Sequence, residues 1–195
     1  LYKMLSLFKH KGHQDQKSHG RRGSSSGGGS KATSADEAIK TSTGKRGRAD
    51  ENVRREVTDY VDGNSLNDNL RHGDFPEDVN WAAVGPNQID NMDRAFSSEQ
   101  MGVEVGPITV SRGMGFDQGS ASGKMFEDMK EGDEFLDKGF VSSTAGDSGV
   151  ETRFLAGSGT HVEAHIRLKD GQKVIAGSGE EREIILPRNS TFKVL

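Results

Sequence analysis

The spacing of apolar residues predicts that the chain is helical in its first half and rich in strands in its second. From Asp50 onward, apolar side chains recur at the three- and four-residue spacing of an amphipathic helix, and Gly63 ends this helix. A second, short helix is predicted to end at Gly73, and a third spans residues 87–97. The apolar positions of the three helices are Val53, Val57, Tyr60 and Val61, then Leu66 and Leu70, then Ile89, Met92, Ala95 and Phe96.

After residue 106 the pattern changes to short strands. Residues 107–112 predict a strand that ends at Gly113, and residues 134–144 predict a strand with a bulge at Lys138-Gly139. The clearest alternation runs through His161–Leu168. Further strands are predicted at 173–176, 181–186 and 191–195, and short helices at 121–130 and 147–156. The predicted fold class is therefore α+β, with a helical N-terminal part packed on a compact, two-sheet, mostly antiparallel β core.

The first 49 residues are predicted to be a flexible segment rich in His, Gly and Ser. Residues 10–23 are basic and polar, and residues 24–30 (SSSGGGS) have the composition of a flexible linker. Within this segment, Ser34 and Glu37 form the sequence pattern of a capping box and predict one or two helical turns. We therefore expect two regions, a flexible segment at 1–49 and a folded domain at 50–195.

Composition excludes several classes of function. A net charge of −4 does not indicate a nucleic-acid-binding protein. The absence of cysteine rules out disulfides, thiolate metal sites and a cysteine nucleophile. No apolar run approaches the roughly 18 to 20 residues that span a bilayer, and the short amphiphilic start lacks the small-residue cleavage site of a signal peptide. No membrane role is expected. A hydrophobic fraction of 31% and a mean hydropathy of −0.73 fit a chain that is partly disordered.

Three short polar motifs lie at predicted strand ends. They are Ser111-Arg112-Gly113, Phe140-Val-Ser-Ser-Thr144 and Glu181-Arg182-Glu183. Each has an ordinary explanation when taken alone: a solvated arginine, a loop or helix cap, and the solvated edge of a strand. Their order along the chain, however, is informative.

An arginine, then Ser-Ser-Thr, then Glu-x-Glu resembles the R-S-E class of mono-ADP-ribosyltransferases, which includes actin-modifying binary toxins and arginine-specific vertebrate enzymes. The flanking sequences Ile108–Met114, Gly132–Thr144 and Glu181–Leu195 are similar to the corresponding strands of that class, and Tyr60–Arg71 is similar to its helical part. The resemblance covers residues 50–195. One departure is that the middle motif reads Ser-Ser-Thr rather than Ser-Thr-Ser, although its leading residue, Ser142, is retained.

The resemblance implies that NAD is the substrate, and it assigns roles to the motif residues. Glu183 would be the catalytic carboxylate that stabilises the cationic sugar as nicotinamide leaves, and Ser142 would orient it. Arg112 would bind the NAD phosphates, and Gly113 would let the backbone approach nicotinamide closely. Ser143 belongs to the same NAD-binding motif. Phe154 has two equally supported interpretations, namely stacking on nicotinamide and core packing; no metal is required.

Glu181 decides the class of acceptor. In this class a glutamate at that position accompanies transfer to arginine, because a carboxylate can orient the protonated guanidinium and help to remove a proton. The resemblance therefore implies a protein partner that is modified on arginine. A monomer is expected.

Two other interpretations of the site stay open. One is an NAD glycohydrolase with water as the acceptor, and the other is an inactive structural module of a virion. Residues 11–20 (KGHQDQKSHG) resemble a short segment of tailed-phage head proteins, which suggests a domain in the virion or delivered into the bacterial host cytoplasm, with secretion as the alternative. The nearby histidines do not predict a metal site, because a His-rich tract without cysteine rarely forms a closed one.

Overall fold

The computed structural model describes residues 2–10, 30–63, 65–71, 86–146, 159–177 and 182–195. The helices are α1 (Ala35–Arg46), α2 (Glu51–Val61), α3 (Leu66–Arg71), α4 (Pro86–Ala95) and α5 (Ala121–Asp128). The strands are β1 (Tyr2–His10), β2 (Val103–Val105), β3 (Ile108–Phe116), β4 (Glu134–Asp137), β5 (Val141–Ala145), β6 (Thr160–Leu168), β7 (Gln172–Ala176), β8 (Glu183–Leu186) and β9 (Ser190–Val194).

The strands hydrogen-bond in the order β2-β7-β8-β5-β3-β6-β1-β9-β4. Among the described strands only the β1–β6 pair is parallel. The β5–β3 link consists of just two residue pairs, Val110 with Ala145 and Ser111 with Thr144. This short link joins a group of four strands to a group of five. The predicted α+β class with a mostly antiparallel core is confirmed, and the two predicted sheets are two parts of one continuous ladder.

The main core lies where the apolar faces of the two strand groups meet. The alternation predicted for 161–168 is confirmed, since Val162, Ala164, Ile166 and Leu168 are each at most 1% exposed. Ala164, Ile166 and Leu168 belong to one buried cluster, to which the other strands contribute Val103, Val105, Ile108, Val110, Val141, Ala145, Val174, Ile184, Leu186, Phe192 and Val194. Burial of these side chains provides the main driving force for joining the two groups of strands.

The helices α2, α3 and α4 form a second core on the other face of β7 and β8. The predicted helical faces are confirmed, because the residues named for them are buried here, apart from the partly buried Val61. They pack with Phe140, Ile175 and Ile185. Asp50 caps α2 through its side chain, and Gly63 follows the helix with a φ of +96°, which glycine adopts more readily than other residues.

Two predicted strand boundaries are wrong. β3 does not end at Gly113 but continues to Phe116, because β6 pairs with it over all nine residues. The stretch 134–144 is not one bulged strand but two strands in different places, since β4 pairs with β9 whereas β5 pairs with β3 and β8. The sequence pattern also does not predict strands β1 and β2.

Helix α1 packs on the sheet upstream of the predicted domain start, so ordered structure begins before residue 50. The expected cap is present, because the Ser34 hydroxyl accepts from the Glu37 amide at 3.2 Å. The Glu37 carboxylate, however, accepts from the amide and hydroxyl of Thr33 and not from the Ser34 amide. The buried face of the helix consists of Ala35, Ala38 and Ser42. These small residues produce no apolar stripe, which explains why the periodicity does not reveal that the helix is part of the domain.

Several expectations fall outside the described residues. These are the helix at 147–156 with Phe154, the residue Glu181, and the segment 11–20 that resembles phage head proteins. Among the helices that are described, none is long and apolar enough to cross a bilayer. Within the same part of the chain, no group of three His, Asp or Glu side chains could hold a metal ion.

The attachment of α1 predicts that Ser42→Ala destabilises the protein by about 1–3 kcal/mol. The Ser42 hydroxyl is fully buried and accepts from the Ala176 amide at 2.8 Å, so alanine would leave that buried N–H without its partner. The exposed neighbour Thr43 provides a matched control, and Thr43→Ala should stay within about 0.5 kcal/mol of the parent. Urea unfolding measures the free energy of unfolding of both variants, and equal values would contradict the role given to α1.

Candidate active site

Arg112 lies on β3 with a half-buried side chain that contacts the start of β5. Its Nη1 donates to the Ser142 carbonyl at 2.9 Å. Its Nε is buried and has no hydrogen-bond partner among the described residues. Burial, reinforced by repulsion from Arg71, lowers the pKa of Arg112, while the charges of Asp137, Tyr60 and Glu183 oppose that shift. The guanidinium thus has an unused donor next to Ser142.

The Ser142 hydroxyl is held by the helical layer. It hydrogen-bonds to the Tyr60 hydroxyl of α2 at 2.9 Å, and Tyr60 in turn accepts from Asn67 Nδ2 of α3 at 2.7 Å. Burial raises the pKa of Tyr60, so its hydroxyl stays protonated through the physiological range. The series of hydrogen bonds from Asn67 through Tyr60 to Ser142 therefore restricts the rotamer of the serine.

The residue that precedes β5, Phe140, is anchored by its backbone. Its N–H donates to Asn67 Oδ1 at 2.8 Å, and its carbonyl accepts from Asn67 Nδ2 and Arg71 Nη2, each at 2.9 Å. Arg71 also pairs with Asp137 on β4 at 2.9 Å. One short helix, α3, thus ties together the end of β4 and the start of β5.

Glu183 is the first residue of β8 and faces the same side of the sheet as Ser142. Its register partner on β5 is Thr144, which is two residues after Ser142 and therefore on the same face. Glu183 is half-buried, and its charge acts on both Arg112 and Tyr60. Arg112, Ser142 and Glu183, which are distant in sequence, therefore lie close together in the fold.

The assignment of Ser143 to NAD binding is not supported. Its side chain is 5% exposed and donates to the Ile184 carbonyl at 2.7 Å on the opposite face of β5. Because neighbouring residues of a strand point to opposite faces, the motif presents Ser142 and Thr144 together and turns Ser143 into the core. The strand alternation alone would have favoured Thr144 over Ser143.

A cavity of about 490 Å³ opens beside Arg112, between β3, α5 and β4. Gly113 lines it, together with the cations Arg71, Arg112 and Lys138 and one carboxylate, Asp137. Apolar side chains form most of the remaining wall, namely Met114, Phe116, Met125, Phe126, Phe135 and Leu136, and Gly115 and Ser122 complete it. Phe126 stacks on Phe116 and meets Phe135 edge-on, each at 5.2 Å between centroids, so this end is rigid and apolar while the other is positively charged.

Sequence reasoning gave Tyr60, Asn67 and Arg71 no role in the site. The apolar pattern of the two helices that contain them indicates only helical structure. A usable signal was the spacing Asn67-x-x-x-Arg71, since residues four apart lie on one helix face and a polar pair there can reach a single target.

The sequence model of the ADP-ribosyltransferase exoenzyme family matches residues 34–195. The chain belongs to this family, whose toxins use NAD as the substrate of ADP-ribosyl transfer. No curated protein sequence shows significant similarity to the chain.

Solved structures of bacterial toxins share the fold. Plx2a, an ADP-ribosyltransferase toxin from Paenibacillus larvae, is 20% identical with a TM-score of 0.55, over 82% of this chain and 86% of the toxin. The C3 exoenzyme of Clostridium limosum is also 20% identical, with a TM-score of 0.53 over 83% and 86%. An ADP-ribosyltransferase from Clostridium botulinum is 17% identical, with a TM-score of 0.56 over 80% and 83%.

The raised pKa of Tyr60 predicts how stability depends on pH. Above about pH 10 the unfolded chain releases the Tyr60 proton while the folded protein retains it, so the free energy of unfolding falls as pH rises. Tyr60→Phe lacks this contribution, but it loses about 1 kcal/mol near neutral pH because Ser142 and Asn67 lose a partner. The difference between parent and variant should therefore shrink above about pH 10. Urea unfolding at two pH values tests this, and a constant or widening difference would refute it.

Proposed function

We propose that this chain is a mono-ADP-ribosyltransferase that modifies arginine in a target protein, with Glu183 as its catalytic carboxylate. The proximity of Arg112, Ser142 and Glu183 is the observation that supports it most. A module with a purely structural role has no physical need for a half-buried carboxylate beside an oriented serine and an arginine with an unused donor.

The cavity, which Arg112 lines but Ser142 and Glu183 do not, suits the diphosphate and one base of a dinucleotide such as NAD. The net positive charge of Arg71, Arg112 and Lys138 with Asp137 matches a diphosphate, and the unpaired Nε of Arg112 offers a donor to one of its oxygens. The apolar aromatic wall suits the flat face of a base. Gly113 leaves the backbone of β3 accessible at the cavity surface.

In the proposed reaction the bond between the ribose C1′ and the nicotinamide nitrogen breaks, and its electron pair leaves with nicotinamide. The sugar becomes cationic as this bond lengthens. The negative charge of Glu183 stabilises that state more than the ground state, which lowers the barrier. The Ser142 hydroxyl, which Tyr60 holds in place, orients the Glu183 carboxylate.

Glu181 supports arginine as the acceptor. An arginine nitrogen of the target forms the new bond to C1′, and the proton that it loses passes to the Glu181 carboxylate. Glu181 lies only two residues before Glu183 in sequence. Arg182 between them has a φ of +49°, so it is this closeness along the chain, and not strand alternation, that favours a shared site. All the residues invoked belong to one chain, so we expect a monomer to be active.

Two rival interpretations of the same residues predict different products. An NAD glycohydrolase would release free ADP-ribose without labelling protein, and an inactive structural module would release no nicotinamide. Delivery by a phage is supported by the resemblance of residues 11–20 to phage head proteins.

Glu183→Gln should lower kcat for transfer by about 10³-fold, because glutamine keeps the size of the side chain but removes the charge that faces the cationic sugar. KM for NAD should change little. The assay incubates each purified variant with labelled NAD and a lysate of the bacterial host, and it measures labelled protein and free ADP-ribose separately. The exposed Glu99 supplies the control Glu99→Gln, which should behave as the parent. Full transfer activity in Glu183→Gln would exclude Glu183 as the catalytic residue.

Glu181→Gln should lower transfer to arginine by about 10²-fold while NAD hydrolysis persists, because only the acceptor step needs this carboxylate. Glu180→Gln, one residue earlier, is the matched control and should keep arginine transfer. Mass spectrometric mapping of the modified residue reports the acceptor. ADP-ribose on another residue type in the parent, or undiminished arginine transfer by Glu181→Gln, would refute arginine specificity.

A further inference from the structure

The backbone of Gly177 lies directly against the side chain of Glu183. Gly177 follows the last residue of β7 and is buried, and its N–H donates to the Glu183 carbonyl at 3.0 Å. A Cβ added to Gly177 would overlap Oε2 of Glu183 and lie 2.5 Å from its Cδ and 2.9 Å from its Cγ. Such separations are too short for nonbonded atoms, so the present position of this carboxylate requires a residue without a side chain.

Backbone conformation does not explain the glycine. Gly177 is absent from the described glycines with positive φ, so an L-residue could adopt its φ without the strain of the left-handed region. The three atoms nearest to the added Cβ all belong to the flexible Glu183 side chain. Alanine would therefore be accommodated by moving the carboxylate, at small cost to folding.

Helix α1 holds this part of the backbone from the other side. Ser42 accepts from the Ala176 amide at 2.8 Å. Arg46 donates from Nη1 to the Gly177 carbonyl at 3.3 Å and from Nη2 to Thr58 Oγ1 of α2 at 2.7 Å. The residue before Glu183 is also tied to α1, because Arg182 donates to Asp36 at 2.6 Å. The backbone of Ala176 and Gly177 is thus hydrogen-bonded to α1, and Arg182 adds an exposed ion pair with the same helix.

We propose that Gly177 is a positioning residue for the catalytic step, and that α1 keeps it in place through Ser42 and Arg46. Gly177 does not touch substrate; it allows the Glu183 carboxylate to occupy a position that any side chain at 177 would deny. The proposal depends on the catalytic assignment of Glu183 made above.

Gly177→Ala should lower kcat by about 10²-fold, the loss typical of a catalytic group displaced by about 1 Å, while KM for NAD and the melting temperature stay near the parent values. Gly47→Ala is the matched control, because an added Cβ there meets nothing within 4 Å. In a crystal structure of Gly177→Ala the Glu183 carboxylate should have moved, a result that does not depend on activity. An unchanged kcat, or an unmoved carboxylate, would overturn the proposal.

A milder variant covers the case in which Gly177→Ala is unstable. Arg46→Met keeps the aliphatic stem and removes the hydrogen bonds to Gly177 and Thr58, so kcat should fall by about 3- to 10-fold with KM unchanged. Arg48→Met, at an exposed position just beyond the same helix, should match the parent, and equal rates for the two would count against the proposal. Failure of the proposed function is distinguishable, because Glu183→Gln would then remain active, or the parent would release no nicotinamide.

Discussion

The geometry of the site depends on how the buried backbone of Phe140 satisfies its hydrogen bonds. The whole residue is 0% exposed, so its N–H and carbonyl cannot be solvated by water. Side chains of the helical layer take that place, with Asn67 bonding both groups and Arg71 bonding the carbonyl. This requirement couples α3 to the first residues of β5. Ser142, two residues later, is thereby placed relative to α2 and β3.

A second constraint is the charge balance beside β3. Arg71 and Arg112 are close enough for repulsion to lower the pKa of Arg112, and Asp137 offsets part of that repulsion through its pair with Arg71. Two guanidinium groups held side by side are favourable when a further anion lies between or beside them. The diphosphate of the proposed NAD site would supply such an anion.

The two halves of the site are supported by different elements. The helices α2 and α3 hold β5 and Ser142, whereas α1 holds the backbone around Glu183 through Ser42 and Arg46. If residues 1–49 were all flexible, as the sequence pattern predicts, α1 could not hold the backbone around Glu183. The match of the family to residues 34–195 agrees with the inclusion of α1 in the domain.

The sequence by itself determined the fold class and the helices α2 to α4, because side-chain periodicity is a property of neighbouring residues. Its resemblance to a known family nominated Arg112, Ser142 and Glu183 as candidate site residues. It could not reveal that residues 134–144 separate into two strands, since strand pairing is decided by partners far along the chain. Tertiary structure also decided which serine of the motif faces the site, and it brought α1 into the core through side chains too small to form an apolar stripe. These features depend on long-range packing, which local pattern does not encode.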